Sequence, residues 1–436
     1  MKVAFYTLGC KVNHYETQAM TALFAEAGDT LVAFDQAADV YIVNTCTVTQ
    51  VSDKKSRQML ARARRLSPTA AVIAVGCLGQ TDAKSLEALG IVDLVLGTSG
   101  RKEIVAQARA LAEQQLPLAD GNKHGASEDG RGASAHSAFE ELSAVHDSRT
   151  RATLKIQDGC ANYCAYCIIP FARGNPRSRN MESCERELRA LALAGYREVV
   201  LTGIQLASYG RDLPKQPDLC DVIALAAQIP GLDRVRLGSL APTFVTERFV
   251  QTCKASRNLC GQFHLSLQSG SDTVLARMNR RYTTADYRKA VELLREILPN
   301  CAVTTDVIAG FPGESPEEHA QTCAFVRELG FARLHVFPYS LRPGTAAASM
   351  TGHLPKSVKE QRARELIAIG ESLQENFVQA QLGKTASVLI EEQGCGYTEN
   401  YVRVRVDGEP LPEGIIVEGT LTAREGSTAI LHINNE

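Results

Sequence analysis

Cys160, Cys164 and Cys167 stand within eight residues of one another in the run CANYCAYC. Thiolates are soft ligands, and three of them at CxxxCxxC spacing can wrap one face of a four-iron cluster, each binding one iron. A structural zinc site needs four protein ligands. No fourth Cys or His lies close by, Cys184 being the nearest. One iron is therefore left open to a chelator from outside the chain. Three further cysteines, Cys10, Cys46 and Cys77, are separated by 36 and 31 residues. Each follows a strand-like apolar run, Lys2–Leu8, Asp39–Asn44 and Ala71–Val75, within two residues of its end. Residues at the carboxyl ends of parallel strands share one edge, where ligands bind. These thiols either converge there or are unrelated core thiols, since free cysteine is commonly buried. Gly9 and Gly76, which precede Cys10 and Cys77, leave room for a bulky group. The remaining cysteines (184, 220, 253, 260, 301, 323 and 395) lack ligand spacing and read as structural.

The elements that must position these thiols follow from patterning. Over residues 1–115, short Val/Ile/Leu runs alternate with amphipathic stretches such as Asn13–Ala27, Gln50–Leu66 and Gln80–Leu89, which predicts a Rossmann-like α/β domain with a mostly parallel sheet. Residues 116–147, rich in Gly, Ser, Ala and charge, read as a flexible linker. Over 148–378, six strand candidates (Ala152–Gln157, Arg197–Thr202, Asp233–Ser239, Gln262–Gln268, Ala302–Ala309 and Phe331–Phe337) alternate with helices. That is too few to close an eight-stranded barrel and predicts an open, partial (βα)6 barrel whose active face lies at the carboxyl ends of its strands. Ser315, Pro316 and Glu318 form a helix-start signature of cap, first-turn proline and capping box. Residues 379–436 alternate in the β manner between glycines and predict a small β-barrel.

Composition narrows the function classes. The 436 residues carry 47 Lys+Arg against 49 Asp+Glu, which excludes a wholly basic nucleic-acid coat or an acidic disordered chain. No apolar run approaches the ~18 residues of a membrane span, and MKVAFYTLGCKVN reads as a first strand rather than a signal peptide. Thirteen cysteines in such a chain point to a reducing, cytoplasmic setting with metal-binding or catalytic thiols.

The CxxxCxxC loop after the first strand of a βα series resembles the radical S-adenosylmethionine (SAM) superfamily, in which SAM chelates the open iron through its amino and carboxylate groups. That resemblance places Tyr166 near the adenine. Polar residues at successive strand ends, Gly203, Gln205, Ser266, Gln268 and Asp306, are the candidate SAM contacts, and the Gly310–Glu314 turn is expected to bring backbone close to the ligand. More of the chain resembles one family: LGCKVNHYE at 8–16, NTCTV at 44–48, VGC at 75–77, GCANYCAYCIIPFARG at 159–174, HLSLQSGSDTVLARMNRRYT at 264–283, DVIAGFPGE at 306–314 and FPYSLRPGTAAA at 337–348 are similar to the tRNA and ribosomal-protein methylthiotransferases. GYTENYVRV at 396–404 resembles that family's TRAM domain.

The resemblance implies two 4Fe-4S clusters, an auxiliary one on Cys10, Cys46 and Cys77 and a SAM-binding one on Cys160, Cys164 and Cys167, with no protein side chain as the catalytic group. It also implies a low-potential electron donor and two SAM molecules per product. Lys11-Val12-Asn13 and Arg280-Arg281-Tyr282-Thr283 resemble the branch that acts on threonylcarbamoyladenosine in the tRNA anticodon stem-loop. The alternatives are isopentenyladenosine in tRNA, a ribosomal-protein aspartate, or, in a different class, a non-catalytic RNA-binding protein whose cysteines hold zinc or a structural cluster. Phosphate contacts are expected from Lys54, Lys55, Arg57, Arg62, Arg64 and Arg65, and from Arg173, Arg177 and Arg179. From Gln381 onward the chain is acidic, 4 Lys+Arg against 9 Asp+Glu, so RNA binding there needs local clustering of Arg403 and Arg405 with stacking by Tyr397 and Tyr401.

Overall fold

The computed structural model describes residues 1–113, 138–144, 150–409 and 411–433. The chain groups into two compact units: residues 1–147, 155–179 and 340–345 form the first, and residues 148–154, 180–339 and 346–436 form the second. The CANYCAYC loop thus belongs with the N-terminal sheet.

In the first unit, five strands, β1 (Lys2–Thr7), β2 (Thr30–Val32), β3 (Val40–Thr45), β4 (Ala71–Gly76) and β5 (Leu94–Val95), form a parallel sheet in the order β2-β1-β3-β4-β5. Every residue of β3 and β4 is buried, because the sheet is covered on both faces. Met20 and Phe24 of the helix Lys11–Glu26 and Ile104 and Ala108 of the helix Ile104–Glu113 pack on Val3, Ile42, Ile73 and Val75. Met59, Leu60 and Ala63 of the helix Gln50–Leu66 pack on Ala4, Tyr41, Val43 and Ala74 across the sheet. Each fully buried Val, Ile or Met is worth about 1.5–3 kcal/mol, so the sheet is a rigid platform. The stretch predicted as one helix over Gln80–Leu89 is instead two short helices, Cys77–Thr81 and Ala83–Glu87, broken at Asp82 (φ −146°).

The predicted linker 116–147 lies mostly outside the described residues. Its described portion is anchored: Leu142 and Ala144 are buried against Tyr15 and Ala19, and Leu142 O accepts hydrogen bonds from Tyr15 Oη and from Arg179 Nη2 (2.6 Å).

The second unit begins with β6 (Arg151–Lys155), where the chain crosses into the first unit. There β7 (Gln157–Asp158) and β8 (Arg177–Ser178) pair antiparallel at the base of the cysteine loop. The chain then returns for β9 (Glu198–Thr202), β10 (Arg234–Leu237), β11 (Ser239–Leu240), β12 (Gln262–Leu265), β13 (Ala302–Ala309) and β14 (Arg333–Pro338). Two sheets, β10-β9-β6 and β11-β12-β13-β14, are separated only by Gly238 between β10 and β11. With β10 and β11 taken as one strand interrupted at Gly238, they supply the six strands of the expected partial barrel, with helices such as Thr284–Ile297 and Pro316–Leu329 between them. Ser315 caps the latter as predicted, taking a bond from Glu318 N (3.2 Å) while Glu318 Oε2 accepts from Ser315 N (2.9 Å).

After the helix Lys356–Gln379, strands β15 (Thr385–Glu392), β16 (Cys395–Thr398), β17 (Arg403–Val406), β18 (Ile416–Glu425) and β19 (Thr428–Ile433) close a barrel in the order β15-β16-β17-β19-β18. Val388, Ile390, Val404, Leu421 and Leu431 fill it. Gly396 makes the corner possible, since a Cβ there would lie 2.0 Å from Leu389 O. The Tyr397 and Tyr401 rings stack on each other (centroids 4.7 Å apart) under the guanidinium groups of Arg151 and Arg236. Both arginines pair with buried Glu198, so the tyrosines cement the small barrel to the larger one.

Candidate functional site

The parallel order β1-β3-β4 brings Cys10, Cys46 and Cys77 to one sheet edge, each at or near the amino end of a helix. Cys10 caps the helix Lys11–Glu26, Cys77 opens the helix Cys77–Thr81, and Cys46 lies just ahead of the helix Gln50–Leu66, which Thr49 caps. The positive end of a helix favours a thiolate. The adjacent strands β1, β3 and β4 set the three side by side, and Gly9, next to Cys10, lies against Cys46. Burial nevertheless pushes the Cys77 thiol up to about 12 and raises Cys46. Without a metal these two thiols are neutral, and metal binding must displace their protons. The two glycines are sterically required. A Cβ on Gly9 (φ +102°) would lie 2.9 Å from Cys46 Sγ, and one on Gly76 (φ +95°) 2.5 Å from Asn44 Oδ1.

The CANYCAYC loop is shaped by its own backbone. Gly159 (φ +74°) could not carry a Cβ, which would lie 2.0 Å from Asn175 O. Cys160 N donates to Gly174 O (2.9 Å), Cys167 N to Cys164 O (2.9 Å), and Asn162 N to Cys160 Sγ (3.5 Å). An N–H directed at a ligating sulfur is one of the groups that tune an iron–sulfur centre. All three loop thiols are half-buried, whereas Cys46 and Cys77 are buried.

Between the two thiol sets lies a buried ionic network that patterning did not reveal. Glu16, fully buried, accepts from Arg101 Nη2 (2.9 Å), Lys155 Nζ (2.8 Å) and Arg173 Nη1 (2.9 Å). Asp158, two residues before Cys160, accepts from Lys155 Nζ (2.6 Å) and Arg173 Nη1 (3.0 Å) and pairs with Arg177 (3.4 Å). Arg173 Nη2 also donates to Asn13 Oδ1 (2.7 Å), and Asn13 Nδ2 in turn holds Leu8 O and Thr45 O beside Cys10 and Cys46. Burial works against the Glu16 charge, but Arg101, Arg173 and Lys155 outweigh it and bring its carboxyl down to about 2. Among the described residues, four cations (Arg101, Lys155, Arg173, Arg177) pair with three carboxylates (Glu16, Asp158, Glu140), an excess of one positive charge in these pairs. A buried excess cation is costly unless an anion accompanies it, and a four-iron cluster on three thiolates is anionic. The network therefore fits such a group at Cys10, Cys46 and Cys77. The signal that could have disclosed it was Glu16 itself, a carboxylate in the apolar stripe Val12, Ala19, Met20 of the first helix.

Arg173, Arg177 and Arg179 are correspondingly buried and internally bonded, which overturns their expected role at phosphates. In the helix Gln50–Leu66, Arg57 pairs with Asp82 (2.7 Å) and Arg64 binds Asp93 (2.5 Å) and loop carbonyls. Lys54, Lys55, Arg62 and Arg65 form the exposed remainder. Arg342 joins the segment 340–345 to this unit through Asp53 Oδ2 (2.7 Å) and Thr47 Oγ1, next to Cys46.

Tyr166 is half-buried in the cysteine loop. The other SAM candidates belong to the second unit, where Gly203, Gln205, Ser266 and Gln268 follow strand ends as expected but Asp306 lies inside β13 (Ala302–Ala309). Gly203 and Gln205 follow β9 and Ser266 follows β12, while Gln268 (φ +71°) donates from its N to Asp306 O (2.8 Å) and so pins the β12 end to β13. Asp306 Oδ2 pairs with His264 Nε2 (3.2 Å), whose Nδ1 meets Thr304 Oγ1 (3.0 Å), and the His335 ring lies 5.7 Å from that of His264. These two histidines were not foreseen, being single polar residues inside strand alternation. In the Gly310–Glu314 turn a Cβ on Gly310 would lie 2.4 Å from Lys359 Cγ, so this glycine lets the turn pack on the helix Lys356–Gln379. His319, Cys323 and Glu365 gather on two helices of this unit, but Glu365 takes the His319 ring nitrogen at 2.7 Å in a helix–helix ion pair.

Comparison with known proteins groups the cysteine loop with the strands that follow it, whereas compactness groups it with the N-terminal sheet. Residues 2–97 match the uncharacterized protein family UPF0004, and residues 154–326 match the radical SAM superfamily. The chain is 40% identical to the threonylcarbamoyladenosine tRNA methylthiotransferase MtaB of Bacillus subtilis, over 95% of this chain and 92% of that one. It is 35% identical to the MtaB of Aquifex aeolicus (94% and 97%) and 30% identical to the tRNA-2-methylthio-N(6)-dimethylallyladenosine synthase of Pelotomaculum thermopropionicum (97% and 95%). Among solved structures, the radical SAM methyltransferase TsrM of Kitasatospora setae shares the fold, with a TM-score of 0.58 at 16% identity, over 80% of this chain and 77% of that one. The match along nearly the whole of these relatives, with both thiol sets in place, makes the chain a member of the radical SAM methylthiotransferase family.

Proposed function

We propose that this enzyme adds a methylthio group to C2 of N6-threonylcarbamoyladenosine in the anticodon stem-loop of tRNA. Cys160, Cys164 and Cys167 would hold a SAM-binding 4Fe-4S cluster, and Cys10, Cys46 and Cys77 an auxiliary one. The observation that carries this reading is the presence of both three-thiol sets in one compact unit, joined by the Glu16–Arg173–Asp158 network. Three-thiolate clusters each leave an iron open and supply, when bound, one-electron reduction of SAM at one site and a sulfur anchor at the other. The chain's residues do the rest. The sheet edge fixes Cys10, Cys46 and Cys77, Gly9 and Gly76 keep the space beside them clear, and Asn162 N–H is directed at the Cys160 sulfur. Tyr166, Gly203, Gln205, Ser266, Gln268 and Asp306 are the SAM contacts in this reading. A low-potential electron donor is required.

The choice of threonylcarbamoyladenosine is supported by the higher identity to enzymes named for it than to the dimethylallyladenosine synthase. Within the segments that suggest this branch, Asn13 and Tyr282 are buried in structural bonds, whereas Lys11 and Arg281 are exposed and are the residues offered to the substrate. The exposed Lys54, Lys55, Arg62 and Arg65 would neutralise tRNA phosphates. No helix among the described residues is long and apolar enough to cross a membrane. All thirteen cysteines are free thiols, which supports a reducing, cytoplasmic setting. Anaerobic turnover with SAM, a strong reductant and tRNA bearing either modified adenosine, followed by nucleoside mass spectrometry, tests the assignment. Methylthiolation of the threonylcarbamoyl form is expected, and preference for the isopentenyl form would overturn it.

A further inference from the structure

Arg173 is fully buried and serves both thiol sets. Its Nη1 and Nη2 are spent on Asp158, Glu16 and Asn13. That joins the residue two positions before Cys160 to the helix that Cys10 caps. Its Nε–H is buried and has no hydrogen-bond partner among the described residues. The helix Ile169–Arg173 that carries it packs against the helix Cys77–Thr81, which brings Arg173 to the Cys77 side of the sheet edge. A buried donor left without an acceptor costs about 1–3 kcal/mol, more on a charged group, so an acceptor belongs beside it. Arg101 provides a natural contrast. It is equally buried, is bound to the same Glu16 and likewise has an Nε–H without a partner among the described residues. Its other bonds go to Thr98 O and Glu140, whereas Arg173 reaches Asn13, whose amide holds Leu8 O and Thr45 O beside Cys10 and Cys46.

We infer that Arg173 is a positioning residue for the auxiliary cluster, a fixed cation whose Nε–H is reserved for a sulfur at the Cys77 corner and whose charge favours the reduced, more negative state. The inference rests on Cys10, Cys46 and Cys77 being the cluster ligands. Reduction adds one electron, so a cation held in a dry site raises the potential, and its removal lowers it. Lysine keeps the charge but lacks the planar fork and the Nε–H.

The test uses full-length chain carrying Cys160→Ala, Cys164→Ala and Cys167→Ala, so that the auxiliary site alone is loaded by anaerobic reconstitution. Iron is counted, folding is checked by circular dichroism, and the midpoint potential is read by an EPR-monitored redox titration. Arg173→Gln is expected to lower the reduction equilibrium constant at least tenfold, about 59 mV for one electron, with Arg173→Lys between it and the parent. Arg101→Gln, which removes the same charge from the same network without the bond to Asn13, should lower the potential by clearly less than Arg173→Gln does. Equal shifts for Arg101→Gln and Arg173→Gln, or no shift in either, would overturn the role of Arg173. If Arg173→Gln does not fold, the double variant Glu16→Gln/Arg173→Gln removes the uncompensated carboxylate and is titrated against Glu16→Gln alone, with the same expectation. Failure of the parent to bind iron would instead defeat the ligand assignment on which the inference stands.

Discussion

The two thiol sets of the first unit reach the same outcome by opposite routes. Cys160, Cys164 and Cys167 come from one loop of eight residues whose shape depends on local turns, and their sulfurs are half-buried. Cys10, Cys46 and Cys77 come from three strand ends that meet because a parallel sheet places β1, β3 and β4 side by side, and two of them are buried. A loop can be rebuilt around a metal, whereas a sheet edge fixes its ligand positions before the metal arrives. The loop set suits a centre that must admit a small-molecule chelator. The edge set suits one that must hold a sulfur group steady.

The largest expected difference is in activity. Cys77→Ala and Cys160→Ala should each abolish methylthio transfer, but only Cys160→Ala should abolish reductive SAM cleavage, assayed as 5′-deoxyadenosine by chromatography. If Cys77→Ala also abolishes cleavage, the two sets do not divide the labour.

The next effect concerns the network between them. Glu16→Gln leaves buried cations uncompensated and should destabilise the first unit by about 3–5 kcal/mol in denaturant titration. The exposed pair Arg248–Asp218 should be worth less than about 1 kcal/mol. Because the folded-state Glu16 carboxyl lies near 2 against the ordinary 4.5 of a solvated glutamate, its contribution is complete above pH 4.5 and is lost as the pH falls from there toward 2. Stability that is flat across that window would contradict the pairing.

Legibility in the sequence followed the same divide. The loop set could be read from its spacing together with its place after the first strand of a βα series, because its cysteines are neighbours in the chain. The edge set needed the strand order β1-β3-β4, and patterning predicted the strands but could not distinguish converging thiols from buried ones. Glu16 and Asp158 escaped notice because a buried carboxylate is indistinguishable in sequence from a surface one until its partners, more than 80 residues away for Arg101, are known to arrive. Arg173, Arg177 and Arg179 misled for the same reason: a basic run near a site looks like a phosphate clamp until burial shows it bound within the protein. Tyr397 and Tyr401 offered aromatic faces, and the Arg151 and Arg236 guanidinium groups lie over them.

A third contrast is steric. Gly9→Ala, with a left-handed backbone and Cys46 in contact, should cost about 1–3 kcal/mol and reduce iron bound at the edge set, measured after reconstitution. Gly195→Ala has the same backbone strain (φ +91°) but nothing within 4 Å, so it should leave the iron content unchanged. The smallest expected effect separates exposed from buried basic residues. Each of Lys54→Ala, Lys55→Ala, Arg62→Ala and Arg65→Ala should lower the salt slope of tRNA binding by about 1. Arg179→Ala should lower stability and leave that slope unaltered.

The most direct measurement is the iron content of anaerobically reconstituted full-length chain with each thiol set removed in turn. Two four-iron centres predict about eight irons in the parent and about four in each of the two triple alanine variants, one at Cys10, Cys46 and Cys77 and the other at Cys160, Cys164 and Cys167. Parent-level iron in the variant lacking Cys10, Cys46 and Cys77 would contradict the account, because the sheet edge would then hold no cluster.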